Sequence, residues 1–148
     1  MKTKSDAAAE RFVSGYNCAQ SVLWAFSGEL RLDPETALKI ATGLGAGMGR
    51  RQETCGAVTG GIMALGLKYG RGEGQDRTAT EETYAKTRDL MRRFEAKHGT
   101  SNCRQLLGGC DLMTDEGRKA MKDRNLHETT CKPCVQTVVS ILEDLLRS

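Results

Sequence analysis

The segment Val135-Gln136-Thr137-Val138-Val139-Ser140-Ile141-Leu142-Glu143-Asp144-Leu145-Leu146 decides the fold class. Its residues Val135, Val138, Val139, Leu142, Leu145 and Leu146 recur at steps of three and four. That spacing places them on one stripe of a helix whose opposite face is polar.

The same period governs the rest of the chain. Phe12, Tyr16, Val22, Leu23, Phe26 and Leu30 predict a first helix over about residues 4–27, with Cys18 midway along it. Asp33-Pro34-Glu35 reads as an N-cap, a proline at the first helical position and an acidic first turn, starting a helix that runs to about Leu44. Gly43, Gly45, Gly47 and Gly49 predict a loop. Thr54 is the expected N-cap of the next helix, with Val58, Ile62, Leu65 and Tyr69 inward and Gly70–Gly74 as a connector. Asp76 to His98 reads as a long charged helix with Tyr84, Met91 and Phe94 inward and Gly99 as its stop. Asn102–Gly109 suggests a short helical turn, and Thr114-Asp115-Glu116-Gly117 starts a polar helix. No alternating strand pattern and no repeat is present. The expectation is one all-α domain over residues 1–148, a bundle of five or six helices with a Gly-rich loop before the helix carrying Cys55.

Charge and hydropathy narrow the function. With 22 Lys+Arg against 19 Asp+Glu, the net charge of +3 gives no argument for nucleic acid. The longest apolar stretch, Val58 to Leu67, is broken by Gly60, Gly61 and Gly66 and falls short of the ~20 residues of a membrane span, so no membrane insertion is expected. The start, with Lys2, Lys4, Asp6, Glu10 and Arg11, lacks the apolar core of a secretory signal, which makes the cytoplasm the expected compartment. In a reducing compartment clustered cysteines bind metals or do redox chemistry more often than they form permanent bridges.

The chain has six cysteines, too few for a disulfide scaffold and more than core packing requires. Gly15, Cys18, Ala19, Val22 and Ala25 make one small-sided face; Gly56, Ala57, Gly60, Gly61 and Ala64 make another. Two such faces allow close approach, which would bring Cys18 near Cys55. With Thr54 as cap, Cys55 would stand at the first helical position, where free N–H groups and the helix dipole favour a thiolate. Arg50 and Arg51 add positive potential there, although Gly43–Arg51 matches no nucleotide-binding template. Cys103 and Cys110 flank a Leu106-Leu107 anchor, and Cys131-Lys132-Pro133-Cys134 opens the last helix. A C-x-x-C at that position is a redox or metal signal, although no strand precedes it and no second C-x-x-C completes a zinc site. His127 is a candidate ligand or proton donor, His98 a helix cap, and Glu53 a candidate proton acceptor beside Cys55.

Asn17-Cys18-Ala19-Gln20-Ser21-Val22-Leu23, Gly49-Arg50-Arg51-Gln52-Glu53-Thr54-Cys55-Gly56-Ala57-Val58-Thr59-Gly60, Gly66–Gly70, Asn102–Gly108 and the C-terminal Cys131 together resemble the C_GCAxxG_C_C family of redox-active proteins. The resemblance spans nearly the whole chain. It implies a small helical protein whose four signature cysteines are Cys18, Cys55, Cys103 and Cys131, with Cys110 and Cys134 additional. It also implies a redox role read from cysteine content and, as in some related domains, an iron–sulfur cluster.

Two chemistries compete at these residues. Four converging thiolates repel unless a cation neutralises them, which favours an iron–sulfur cluster or another thiolate-bound metal on Cys18, Cys55, Cys103 and Cys131, used for electron transfer. The alternative is thiol–disulfide exchange, with Cys131 or Cys55 attacking and Cys134 resolving. A third reading is a metal-dependent sensor or interaction module without turnover. No feature names the electron partner, and the small-residue faces also allow a homodimer.

Overall fold

The computed structural model describes residues 2–147, and every regular element among them is helical. The first apolar run forms two helices where one was expected. α1 (Lys4–Val13) starts at a reciprocal cap between Thr3 and Asp6. It stops at Ser14, and Gly15 follows with φ +117°. Asn17 and Gln20 then form a second capping box that starts α2 (Cys18–Phe26). Cys18 is therefore the first residue of a helix and not the middle of one. Apolar periodicity hid the break because the residues on both sides pack against the same core.

α3 (Pro34–Ala41) begins at Asp33 as the sequence predicts, the Asp33 carboxylate accepting from the Thr36 N–H. The glycine-rich stretch is not a plain loop. A 3-10 turn, Thr42–Leu44, leads into a short distorted element, α4 (Gly45–Met48), in which Ala46 and Gly47 are left-handed. Met48, Gly49, Arg50 and Gln52 also take positive φ. For the four non-glycine residues this costs on the order of 1 kcal/mol each, so the surroundings must hold the chain there. Amides of Gln52 and Glu53 donate back to the carbonyls of Ala46 and Gly47 at 3.2 and 3.0 Å. Gly47 is required for that fold-back: a Cβ on it would stand 2.5 Å from Gln52 Cα.

α5 (Gly56–Tyr69) has Cys55, not Thr54, at its N-cap. Thr54 instead forms an isolated antiparallel bridge with Asn102. α6 (Arg77–His98) runs from Asp76 to a left-handed Gly99, as expected, but Tyr84 is 56% exposed. Leu90 and Phe94 hold the inward positions. α7 (Cys103–Leu106) and α8 (Asp115–Asp123) are short, and a π-helical segment, His127–Cys131, runs into α9 (Lys132–Leu145). The all-α class holds, with more helices than the five or six expected. No described helix is long and apolar enough to cross a membrane.

The core is built around α5. Val22, Leu23 and Phe26 of α2, Val58 and Leu65 of α5, Leu90 and Phe94 of α6, and Val135, Val138, Val139 and Leu142 of α9 are fully buried. A second, smaller cluster gathers Cys103, Leu107, Cys110, Leu112, Met121 and Leu126 beneath α7 and α8. Cys131 packs against both clusters, so the cysteine site lies at their junction.

Candidate functional site

Cys18, Cys55, Cys103, Cys131 and Cys134 line one cavity of about 450 Å3. Each is placed by a different local device. Cys18 is the first residue of α2 after the Asn17 cap, and Cys55 is the N-cap of α5. Cys103 opens α7 behind Asn102, whose side chain accepts from the Gln105 N–H. Cys131 closes the π-helical segment, and Cys134 lies one turn further on in α9.

Close backbone packing brings the first two together. A Cβ on Gly56 would lie 3.4 Å from Cys18 Cβ and 3.3 Å from the Ala19 nitrogen. Cys103 is tied to the same region by main chain: its amide donates to the Glu53 carbonyl at 2.6 Å, and the Cys55 amide donates to Ser101 at 2.7 Å. Gln52 reinforces this strap. Although only 2% exposed, its side chain donates to the Cys110 carbonyl at 2.6 Å and accepts from the Leu112 N–H at 2.8 Å. The sequence reading missed Gln52; a lone polar residue after two arginines carries no burial signal.

The thiols influence one another's ionisation. The interaction with the Cys134 thiol lowers the Cys55 pKa below the ordinary thiol range and raises that of Cys134. Burial opposes the Cys55 thiolate. The Cys55 sulfur makes no formal capping bond, but the nearby amides of Ala57 and Val58 still favour its anion. The interaction with Cys131, with burial and the negative charge of Cys55, pushes the Cys18 pKa well up. Burial, then Cys55 and Cys131, push the Cys103 thiol up to about 12. Cys55 is thus the cysteine whose anion the site favours, while Cys18, Cys103 and Cys134 are pushed toward the protonated thiol.

Cys110 stands apart. It does not line the cavity, and Arg124 Nη1 lies 3.6 Å from its sulfur. His127 lines the cavity and its ring lies 5.6 Å from Phe12. His98 Nε2 is 2.8 Å from Thr137 Oγ1 and stacks near Phe94, outside the site. Glu53 is exposed and pairs with Arg51.

All four signature cysteines reach one cavity, as do Cys55, Cys131 and Cys134 of the thiol-exchange reading. Among the described residues, however, no three His, Cys, Asp or Glu side chains are grouped so as to hold a metal ion. As placed, the cysteines do not make an assembled cluster site.

No curated relative and no solved structure matches the chain at a significant level. A family model does match residues 16–145, including all six cysteines, under the description "Putative redox-active protein (C_GCAxxG_C_C)". The cysteine cavity thus sits in a chain that belongs to the C_GCAxxG_C_C family.

Proposed function

We propose that the protein is a thiol–disulfide redox protein in which Cys55 is the nucleophile and Cys134 the resolving thiol. The observation that carries this reading is that Cys55, the N-cap of α5, and Cys134 of α9 line one cavity, where the Cys134 thiol favours the Cys55 anion. One cavity thus offers a thiol whose anion is favoured and a second thiol to resolve the mixed disulfide.

In the forward step the Cys55 thiolate attacks one sulfur of a substrate disulfide. A Cys55–substrate disulfide forms, the substrate S–S bond breaks, and the leaving thiolate takes a proton from water. Cys134 then gives up its proton and attacks the Cys55 sulfur. The second substrate thiolate leaves, and a Cys55–Cys134 disulfide remains. Two electrons pass from the pair to the substrate, and an external dithiol restores the reduced protein by the reverse sequence.

The test is to oxidise the reduced protein with bis(2-hydroxyethyl) disulfide and map the products by mass spectrometry. The expected product is a Cys55–Cys134 bridge. Cys134→Ser should stall at a mixed disulfide on Cys55, and Cys55→Ser should form neither. Full reactivity in Cys55→Ser would overturn the assignment.

One observation favours a second reading, a thiolate-bound metal or iron–sulfur centre on Cys18, Cys55, Cys103 and Cys131: the four share a cavity. It requires the cysteines to rearrange. Anaerobic purification followed by iron and sulfide analysis and a visible spectrum separates the two readings.

A further inference from the structure

We infer that the cavity over Cys55 selects small anionic disulfides, with Arg50 and Lys122 setting the preference. This rests on the thiol–disulfide reading and adds the class of substrate. The volume of about 450 Å3 falls in the range of small-molecule sites. Apart from the reacting Cys55, its charged side chains are all basic. Arg50 from the left-handed run and Arg118 and Lys122 from α8 contribute cations, and among the described residues no Asp or Glu lines the cavity.

The cations differ in availability. Arg118 donates to the Leu112 carbonyl at 2.7 Å and to Asp115 at 2.5 Å, so part of its charge is answered. Arg50 and Lys122 are exposed and make no ion pair with any described residue. Arg50 is held at the rim by the same backbone run that folds back on Gln52 and Glu53. Lys122 lies one helical turn beyond Arg118, so both project from the same side of α8.

Two helix N-termini add to the field. The first residue of α2, Cys18, and that of α5, Gly56, both line the cavity, bringing the positive ends of two helix dipoles to it. A concave, largely apolar wall with basic side chains focuses that potential. A carboxylate-bearing disulfide would place its S–S bond toward Cys55 and its carboxylates toward Arg50 and Lys122. A disulfide with ammonium ends would meet like charge at Arg50, Arg118 and Lys122.

Three small symmetric disulfides test this: 3,3′-dithiodipropionate (anionic), bis(2-hydroxyethyl) disulfide (neutral) and cystamine (cationic). Each oxidises the reduced protein, and formation of the Cys55 mixed disulfide is timed in Cys134→Ser. The expected order is anionic, neutral, cationic, the first exceeding the second on the order of tenfold at low salt. The ratio should shrink with added salt and approach one in Arg50→Ser/Lys122→Ser. It should persist in Lys119→Ser, which removes a charge from α8 that pairs with Asp123 outside the cavity. Equal rates for all three probes would overturn the selectivity and leave the thiol chemistry standing. Should no probe react, the thiol reading falls, and alkylation of Cys55 by iodoacetate against iodoacetamide decides the charge inference. A ratio no higher than that of free cysteine would overturn it.

Discussion

Gly60 of α5 lies so close to Ala19 of α2 that a Cβ on the glycine would stand 2.7 Å from the Ala19 carbonyl oxygen and 3.0 Å from its Cα. Both obstacles are backbone, so no side chain can swing aside. Gly60→Ala should therefore force the two helices apart, costing about 1–2 kcal/mol net after the roughly 1 kcal/mol gained in helix propensity. Gly66 of the same helix faces open space, and Gly66→Ala should stabilise by up to about 1 kcal/mol. Urea unfolding of the two variants should show opposite signs.

The Cys134 thiol is the first cause of the lowered Cys55 pKa. Removing this thiol destabilises the Cys55 thiolate relative to its protonated form, so the Cys55 pKa should rise in Cys134→Ala. Iodoacetamide alkylation of Cys55, followed against pH, should show its midpoint move up and its rate at pH 7 fall several-fold. Cys110→Ala, which lies outside the cavity, should leave the midpoint where it was.

Gln52 satisfies a buried carbonyl and a buried amide across the junction of the two clusters. Gln52→Leu keeps the bulk and orphans both groups, at a cost of about 3 kcal/mol. The Cys103 segment should loosen with it, because the Arg104 amide donates to the Gln52 carbonyl. Hydrogen exchange over residues 101–112 should quicken more than exchange in α9.

Cys103 is buried and holds its proton up to about pH 12 in the fold. In the unfolded chain it ionises near pH 9, its ordinary value. Its contribution to stability is thus complete below about pH 9 and is lost as pH rises toward 12, at up to about 1.4 kcal/mol per pH unit. Cys103→Ala should unfold less steeply with alkali than the parent chain. Urea midpoints between pH 8 and 10.5 check the slope.

What the sequence conveys depends on how local the cause is. The stripe of α9, the Asp33-Pro34 start of α3 and the Gly99 stop of α6 are set by neighbours in the chain, and all three are readable from it. The break at Gly15 was readable too, because Asn17 and Gln20 spell a capping box, but apolar period alone runs through it. Tyr84 fits the inward spacing of α6 yet faces solvent, since only the part of that long helix near Leu90 and Phe94 meets the core. At the site, residue type alone offered all six cysteines; the family resemblance singled out Cys18, Cys55, Cys103 and Cys131, and the C-x-x-C spacing added Cys134. Their mutual placement was not readable, because it depends on how α2, α5 and α9 meet. The left-handed run from Ala46 is equally non-local, being held by folding back on Gln52 and Glu53.

The partners Cys55 and Cys134 stand 79 positions apart in the chain. A covalent link between them would close a loop of about 80 residues and restrict the unfolded ensemble by roughly 4 kcal/mol. Thermodynamic linkage makes that figure act in both directions. If the two sulfurs bond as proposed, the oxidised protein would be harder to unfold than the reduced one, and folding would raise their tendency to bond by about a thousandfold over the open chain. Electron uptake and conformational looseness would then be a single equilibrium, in which reducing the protein also brings it nearer to unfolding.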